Sequence, residues 1–171
     1  MTRPLTLLAA AERATLSAEA AARPRRRLNR NLHPYLADPV QRLLNAIEPG
    51  TYVRPHRHGP GIWELFALLT GAAAVLAFDG EGLVIARADL APGDVVEIAP
   101  GTWHSLVALT PATVVLEVKP GPYRATEDKD FAAWAPPEDA SAVPALVARL
   151  ERAAATTPLA PAGLLGYCAA P

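Results

Sequence analysis

Between residues 51 and 119 the chain repeats one local pattern, and the repetition restricts what it can fold into. Short β-compatible runs occupy 51–58, 62–69, 72–79, 82–89, 94–98, 103–109 and 112–119. The breaks between them read GPG, TG, DGEG, APGD, APG and TP, each with the Gly or Pro chemistry of a tight turn. Seven short strands at this spacing predict an antiparallel sandwich or small barrel, a mainly β fold.

The flanks read differently. Residues 5–22, LTLLAAAERATLSAEAAA, consist of strong helix formers and end before Arg23-Pro24, which predicts a helix or helical arm. In LADPVQRLLNAIEPG, Asp38 suits a cap, Pro39 a first helical position, and Gln41 completes a capping-box spacing. Val40, Leu43, Leu44 and Ile47 fall at i, i+3, i+4 and i+7, so a second short helix is predicted there. The stretch 120–139 is Pro-rich but carries Tyr123, Phe131 and Trp134, as an ordered loop packed on the β body would. A modest helix is predicted over 142–154. The implied organisation is an arm over 1–28, a β domain over 29–140, and a helix and tail over 141–171.

About half of the 171 residues are hydrophobic (51%), enough for a core, and the net charge of −1 gives no global case for nucleic acid or an anionic membrane. One basic run, Arg23-Pro24-Arg25-Arg26-Arg27, reads either as a solvated turn or as a phosphate contact. The apolar LTLLAAA is cut short by Glu12 and Arg13, too early for a membrane span or a signal-peptide core. The only cysteine, Cys168, rules out an intrachain disulfide, and a cytoplasmic location is expected.

Chemistry concentrates in YVRPHRHGPGIWELFALLTG, at 52–71. On a strand, His56 and His58 project from one face, so two imidazoles can share a cation. Gly59-Pro60-Gly61 turns the chain back and brings Glu64 near them as a carboxylate ligand. In GDVVEIAPGTWHSL, Pro100-Gly101 precede His104, a fourth ligand from a distant strand that barrel closure would bring in. Three imidazoles and a carboxylate suit one divalent ion, with Zn, Fe, Mn and Ni all acceptable.

These residues resemble the two cupin motifs: Gly50-x5-His56-x-His58-x5-Glu64-x6-Gly71, with one extra residue before the glutamate, and Gly93-x7-Gly101-x2-His104. The proline at 100 falls one position late, and Ala108 replaces the common terminal asparagine. A wider resemblance, carried by Asn29-Arg30-Asn31-Leu32-His33-Pro34, DPVQRLLNA, EPGTYVRPHRH, WELFALLTG, PGTWH, EVKPGPY and DKDFAAWAPPE, is to the WbuC-type cupin fold metalloproteins. It implies a cupin fold (a small antiparallel β-barrel or jelly roll with short N- and C-terminal helices) and a bound metal. It also gives a hint of sugar chemistry in surface-polysaccharide (O-antigen) metabolism, and it allows a homodimer. Metal-free epimerases of the cupin fold use a histidine base and a tyrosine acid, whereas this chain places its barrel histidines in a ligand pattern.

Around that set stand candidate substrate contacts. Tyr52 and Arg54 alternate with His56 and are expected on its face. Arg54 either binds an anionic substrate group or pairs with an acidic neighbour. His33, beside Asn31 in a polar loop, either caps a turn or meets substrate. Glu117 and Lys119 share a face of the last strand, where a cross-strand ion pair is expected rather than a catalytic role. Tyr123, Lys129 and Trp134 are candidates for a lid. The ligand expected is a sugar or small carboxylate, with neither nucleic acid nor membrane as partner. The reaction is either metal-assisted isomerisation or epimerisation, or Fe(II)-dependent dioxygen chemistry. The rival from another class is a non-catalytic binding module.

Overall fold

The computed structural model describes residues 5–123 and 130–155. Among them the order is α1 (Ala10–Ala21), β1 (Arg27–Asn31), β2 (Val40–Ile47), β3 (His56–Arg57), β4 (Glu64–Thr70) and β5 (Ala73–Phe78). There follow β6 (Val84–Leu90), β7 (Val95–Ile98), β8 (Trp103–Ala108), β9 (Thr113–Pro120), β10 (Asp130–Phe131) and α2 (Val143–Arg152). The strands form two five-stranded antiparallel sheets, ordered β1-β2-β9-β4-β7 and β10-β3-β8-β5-β6. The sheets face each other as a jelly roll and are not closed into a barrel.

Six of the seven predicted runs appear as β4 to β9, while 51–58 contributes only His56–Arg57 to a ladder. Turn chemistry explains why the runs break where they do. Gly71, between β4 and β5, has φ +79°, and a Cβ there would lie 2.4 Å from Thr113 Oγ1. Only glycine fits so close to β9 with that backbone.

The helix predicted around 38–48 is instead β2, an interior strand paired with β1 along one edge and β9 along the other. Both of its faces are covered, so the period-two alternation of a half-buried strand is blurred. Leu44 and Ala46 pack outward against Leu16 and Ala20 of α1, while Ile47 joins the core between the sheets. The apparent cap serves a turn instead: the Asp38 carboxylate accepts the Val40 N–H at 3.0 Å, and the Gln41 amide donates to Leu36 O and Asp38 O. The polar segment before it, expected as a loop, forms edge strand β1.

Three apolar layers hold the body together. α1 covers the outer face of the first sheet, with Leu16 and Ala20 against Leu44, Ala46 and Val114. α2 covers the outer face of the second, where Leu146, Val147 and Leu150 meet Ala74, Leu76, Phe78 and Val107. Arg87 of β6 anchors the end of α2 by donating to the carbonyls of Leu150, Glu151 and Ala153. Trp134, a candidate lid residue by sequence, is buried in this outer layer with its ring centroid 5.2 Å from that of Phe78. Between the sheets lie Ile47, Phe66, Leu68, Val75, Leu106 and Val115. No helix among the described residues is long and apolar enough to cross a membrane.

Candidate metal centre

Strand alternation builds the site from residues that share faces with the inner core. Glu64 precedes Phe66 and Leu68 on β4, and His104 precedes Leu106 and Ala108 on β8. His56 stands directly opposite His104 in the β3–β8 ladder. The first sheet thus supplies the carboxylate, and the second supplies His56 and His104. His58, one residue past β3, completes a buried cluster. Ring centroids are 4.4 Å apart for His56 and His104, 5.2 Å for His56 and His58, and 5.5 Å for His58 and His104. One ligand atom from each of the four residues lies within 4.8 Å of all the others.

Hydrogen bonding fixes which ring nitrogens face inward. His56 Nδ1 is 2.9 Å from Arg54 O, and His104 Nδ1 is 2.8 Å from Thr102 O. A carbonyl oxygen only accepts, so each Nδ1 carries the hydrogen and each Nε2 is directed toward the cluster. His104 Nε2 nevertheless lies 2.9 Å from Glu64 Oε2, and His58 Nε2 lies 3.4 Å from Glu64 Oε1. An imidazole that donates from Nδ1 and also meets a carboxylate at Nε2 needs a positive charge between them, either a second proton or a cation.

Burial by itself pushes the Glu64 carboxyl upward. Hydrogen bonds from His104 and His58, with the charges of His104 and Lys119, outweigh it and hold Glu64 well below the usual carboxylate range. A shared ion about 2.1 Å from each donor tolerates donors up to about 4.2 Å apart, so a contraction of roughly half an ångström closes the set. Three imidazole nitrogens and one carboxylate oxygen, all buried, therefore fit a divalent transition metal.

The wall beside the cluster is charged as well. Lys119 Nζ is 3.1 Å from Glu117 Oε1 and 3.7 Å from Glu64 Oε1, and the Asn45 amide donates to Glu117 Oε2 at 2.5 Å. The cross-strand ion pair expected here is the one from Lys119 of β9 to Glu64 of β4, and the Glu117–Lys119 contact runs along β9 beside it. A cavity of roughly 870 Å³ opens off the cluster.

Asn31, His33, Arg54 and Tyr123 line this cavity, and Tyr52 does not. The structure turns Tyr52 away from the expected face. It is buried in the layer under α2, where its hydroxyl donates to Pro136 O at 2.9 Å. Lys129 lies outside the described residues. Arg54 donates from Nε to Ala135 O at 3.1 Å and lies over the Phe131 ring at 4.8 Å, so its described partners are carbonyls and an aromatic face.

Sequence reasoning missed Asn45 and Gln41 as site residues and left the basic run between a solvated turn and a phosphate contact. Arg23, Arg25 and Arg27 line the same cavity, and Arg25 and Arg27 both pair with Glu138. Burial lowers the Arg27 pKa, while burial raises that of Glu138 and the two arginines more than reverse the rise. A usable signal was the polar residue at every second position in Arg27-Leu28-Asn29-Arg30-Asn31, a strand period with a wet inner face.

Residues 8–90 match a family described as a domain of unknown function (DUF6016). No curated protein matches the chain. Among solved structures, a conserved protein of unknown function from Streptococcus pyogenes is 18% identical, with 72% of this chain and 93% of that chain covered and a TM-score of 0.50. Oxalate decarboxylase from Bacillus subtilis is 19% identical, with 61% of this chain and 27% of that chain covered and a TM-score of 0.50. A cupin superfamily protein from Desulfitobacterium hafniense is 22% identical, covering 70% of this chain and 92% of that chain, with a TM-score of 0.48. Identities this low bear on the fold alone. The chain has the cupin fold, and within it three histidines and a glutamate form a buried cluster that fits a metal ion.

Proposed function

We propose that this protein is a metal-dependent cupin of the WbuC type. It holds one divalent cation on His56, His58, Glu64 and His104 and acts on a sugar or sugar derivative in surface-polysaccharide metabolism. The supporting observation is His104, hydrogen-bonded to a carbonyl at Nδ1 and facing the Glu64 carboxylate at Nε2, inside a cluster of buried donors. When bound, the cation supplies Lewis acidity to a carbonyl or hydroxyl oxygen, the chemistry that isomerisation or epimerisation requires. The chain's own residues do the rest. The second sheet orients His56 and His104 through backbone carbonyls, and Asn45 and Lys119 fix the Glu117 carboxylate in the cavity wall. Asn31, His33, Arg54 and Tyr123 line the space where substrate would lie, and Arg54's planar guanidinium suits a carboxylate or phosphate. A cytoplasmic location agrees with the single cysteine.

The number of protein ligands favours a second reading for one metal. Four donors saturate tetrahedral zinc, which would leave a structural or binding site. A six-coordinate Mn, Fe or Ni ion would keep two positions open, and Fe(II) would then also permit dioxygen chemistry. Elemental analysis of freshly purified protein, followed by turnover assays against sugar phosphates and sugar acids, separates these. About one six-coordinating ion per chain with turnover supports the enzyme. Zinc with tight saccharide or acid binding and no turnover supports the binding module. Metal-free protein from metal-supplemented cultures contradicts both.

A further inference from the structure

Strand register sets four inward side chains in one row across the first sheet. Gln41 of β2 pairs with Lys119 of β9, and the Leu65–Val118 pairing puts Glu64 beside Lys119. On the other side, Asn31 pairs with Leu43, and the Leu32 N–H donates to Arg42 O at 2.8 Å, which brings His33 beside Gln41. With strands about 4.8 Å apart, His33 stands roughly 14 Å from Glu64 along this row. His33 is only 5% exposed, and it lines the same cavity.

His33 Nδ1 meets two backbone groups of Arg42, the N–H at 3.0 Å and the carbonyl oxygen at 2.9 Å. β1 ends before His33, so the Arg42 N–H has lost its ladder partner, whereas the carbonyl already accepts from Leu32. A hydrogen on Nδ1 would give that carbonyl a second donor and leave the N–H without an acceptor. The lone pair on Nδ1 gives each group a partner, which places the ring hydrogen on Nε2. That Nε2–H is buried and has no hydrogen-bond partner among the described residues. A buried donor without an acceptor is costly, and such a group at a cavity wall calls for an acceptor from the occupant. The cavity's charge says what kind. Five arginine or lysine side chains line it against three carboxylates, in a chain whose net charge is −1. That balance favours an anion.

We propose that the His33 Nε2–H is a fixed ligand donor that binds an oxyanion, a carboxylate or phosphate group. The cavity's ligand is then a small oxygen-rich acid that reaches from the metal cluster to His33. This deepens the functional reading above and rests on it, because it takes the cavity as the ligand's seat.

Ring ¹⁵N NMR of the full-length protein at about pH 8, where imidazoles are neutral, tests it without a substitution in the anion site. The expected result is a His33 ring with its hydrogen on Nε2 and a saturable shift of that nitrogen on titration with inorganic phosphate or acetate. The stronger of the two identifies the oxyanion. The shift should persist in His58→Ala protein stripped of metal, where the anion cannot be reporting on the metal. His33→Phe should weaken anion binding at least about tenfold, and His33→Gln, which keeps an N–H near the Nε2 position, should weaken it less. A hydrogen on Nδ1 instead, saturable anion binding that leaves the His33 ring unshifted, or no saturable binding at all would overturn the proposal. If the anion binds as expected but no metal is found in any preparation, the metal reading fails and the oxyanion site stands.

Discussion

The space between the two sheets has two ends of opposite chemistry, built by the same strands. β4 presents Glu64 at one end and Leu68 at the other; β8 presents His104, then Leu106 and Ala108; β9 runs from Val115 to Glu117 and Lys119. At the apolar end each side chain needs only close neighbours, and burial itself is favourable. At the charged end every group needs a counter-charge or hydrogen bond, and ion clusters add little net stability once desolvation is counted. The fold and the site should therefore be separable even though they share strands.

The largest effect expected on the fold comes from the apolar end. Leu68 is 1% exposed, and Leu68→Ala should cost about 3 kcal/mol in urea unfolding while metal bound per folded chain stays unchanged. Parallel loss of metal would show that the two ends are not independent. At the charged end, His58→Ala should weaken metal binding at least about tenfold and leave the β-type circular dichroism signal in place. Collapse of that signal would mean that the cluster holds the sheets together. Acid should act on the same end: metal retention is expected to fall below about pH 6, because free imidazoles protonate near 6.5 and compete with the ion. Retention down to about pH 4 would contradict ligation by three histidines.

Tyr52 offers the smallest effect and a control remote from both ends. Burial is the main reason its phenol is pushed up to about 12 from an ordinary value of 10.0. The folded state therefore favours the neutral phenol. That stabilisation is full below about pH 10 and is lost as pH rises toward about 12, which tyrosinate absorbance alongside alkaline unfolding would reveal. Tyr52→Phe removes the hydrogen bond to Pro136 O and should cost about 1 kcal/mol, without changing metal content.

How legible each region was in the sequence follows the same division. The runs that became β4 to β9 were legible because Gly or Pro turns bound each of them, with positive φ at glycines such as Gly71 and Gly101. The four clustered donors were legible because strand period and turn spacing fix which way His56, Glu64 and His104 point. The region around β1 and β2 was not. Val40, Leu43, Leu44 and Ile47 mimic a helical stripe, yet β2 is covered by α1 on one face and by the core and cavity on the other, so its burial lost the alternation that marks a strand. β1 looked like a loop because its inner face, with Arg27, Asn29 and Asn31, borders the cavity. Tyr52 and Trp134 turn outward under α2, a layer whose position, for Tyr52, depends on the distant helix Val143–Arg152, which local spacing does not encode.

The central claim, that four side chains from two sheets close on one cation, is tested most directly by anomalous diffraction from crystals of the protein purified from metal-supplemented cultures. A single strong peak is expected at bonding distance from His56 Nε2, His104 Nε2, His58 and the Glu64 carboxylate. A peak elsewhere, or none between these groups, would contradict it.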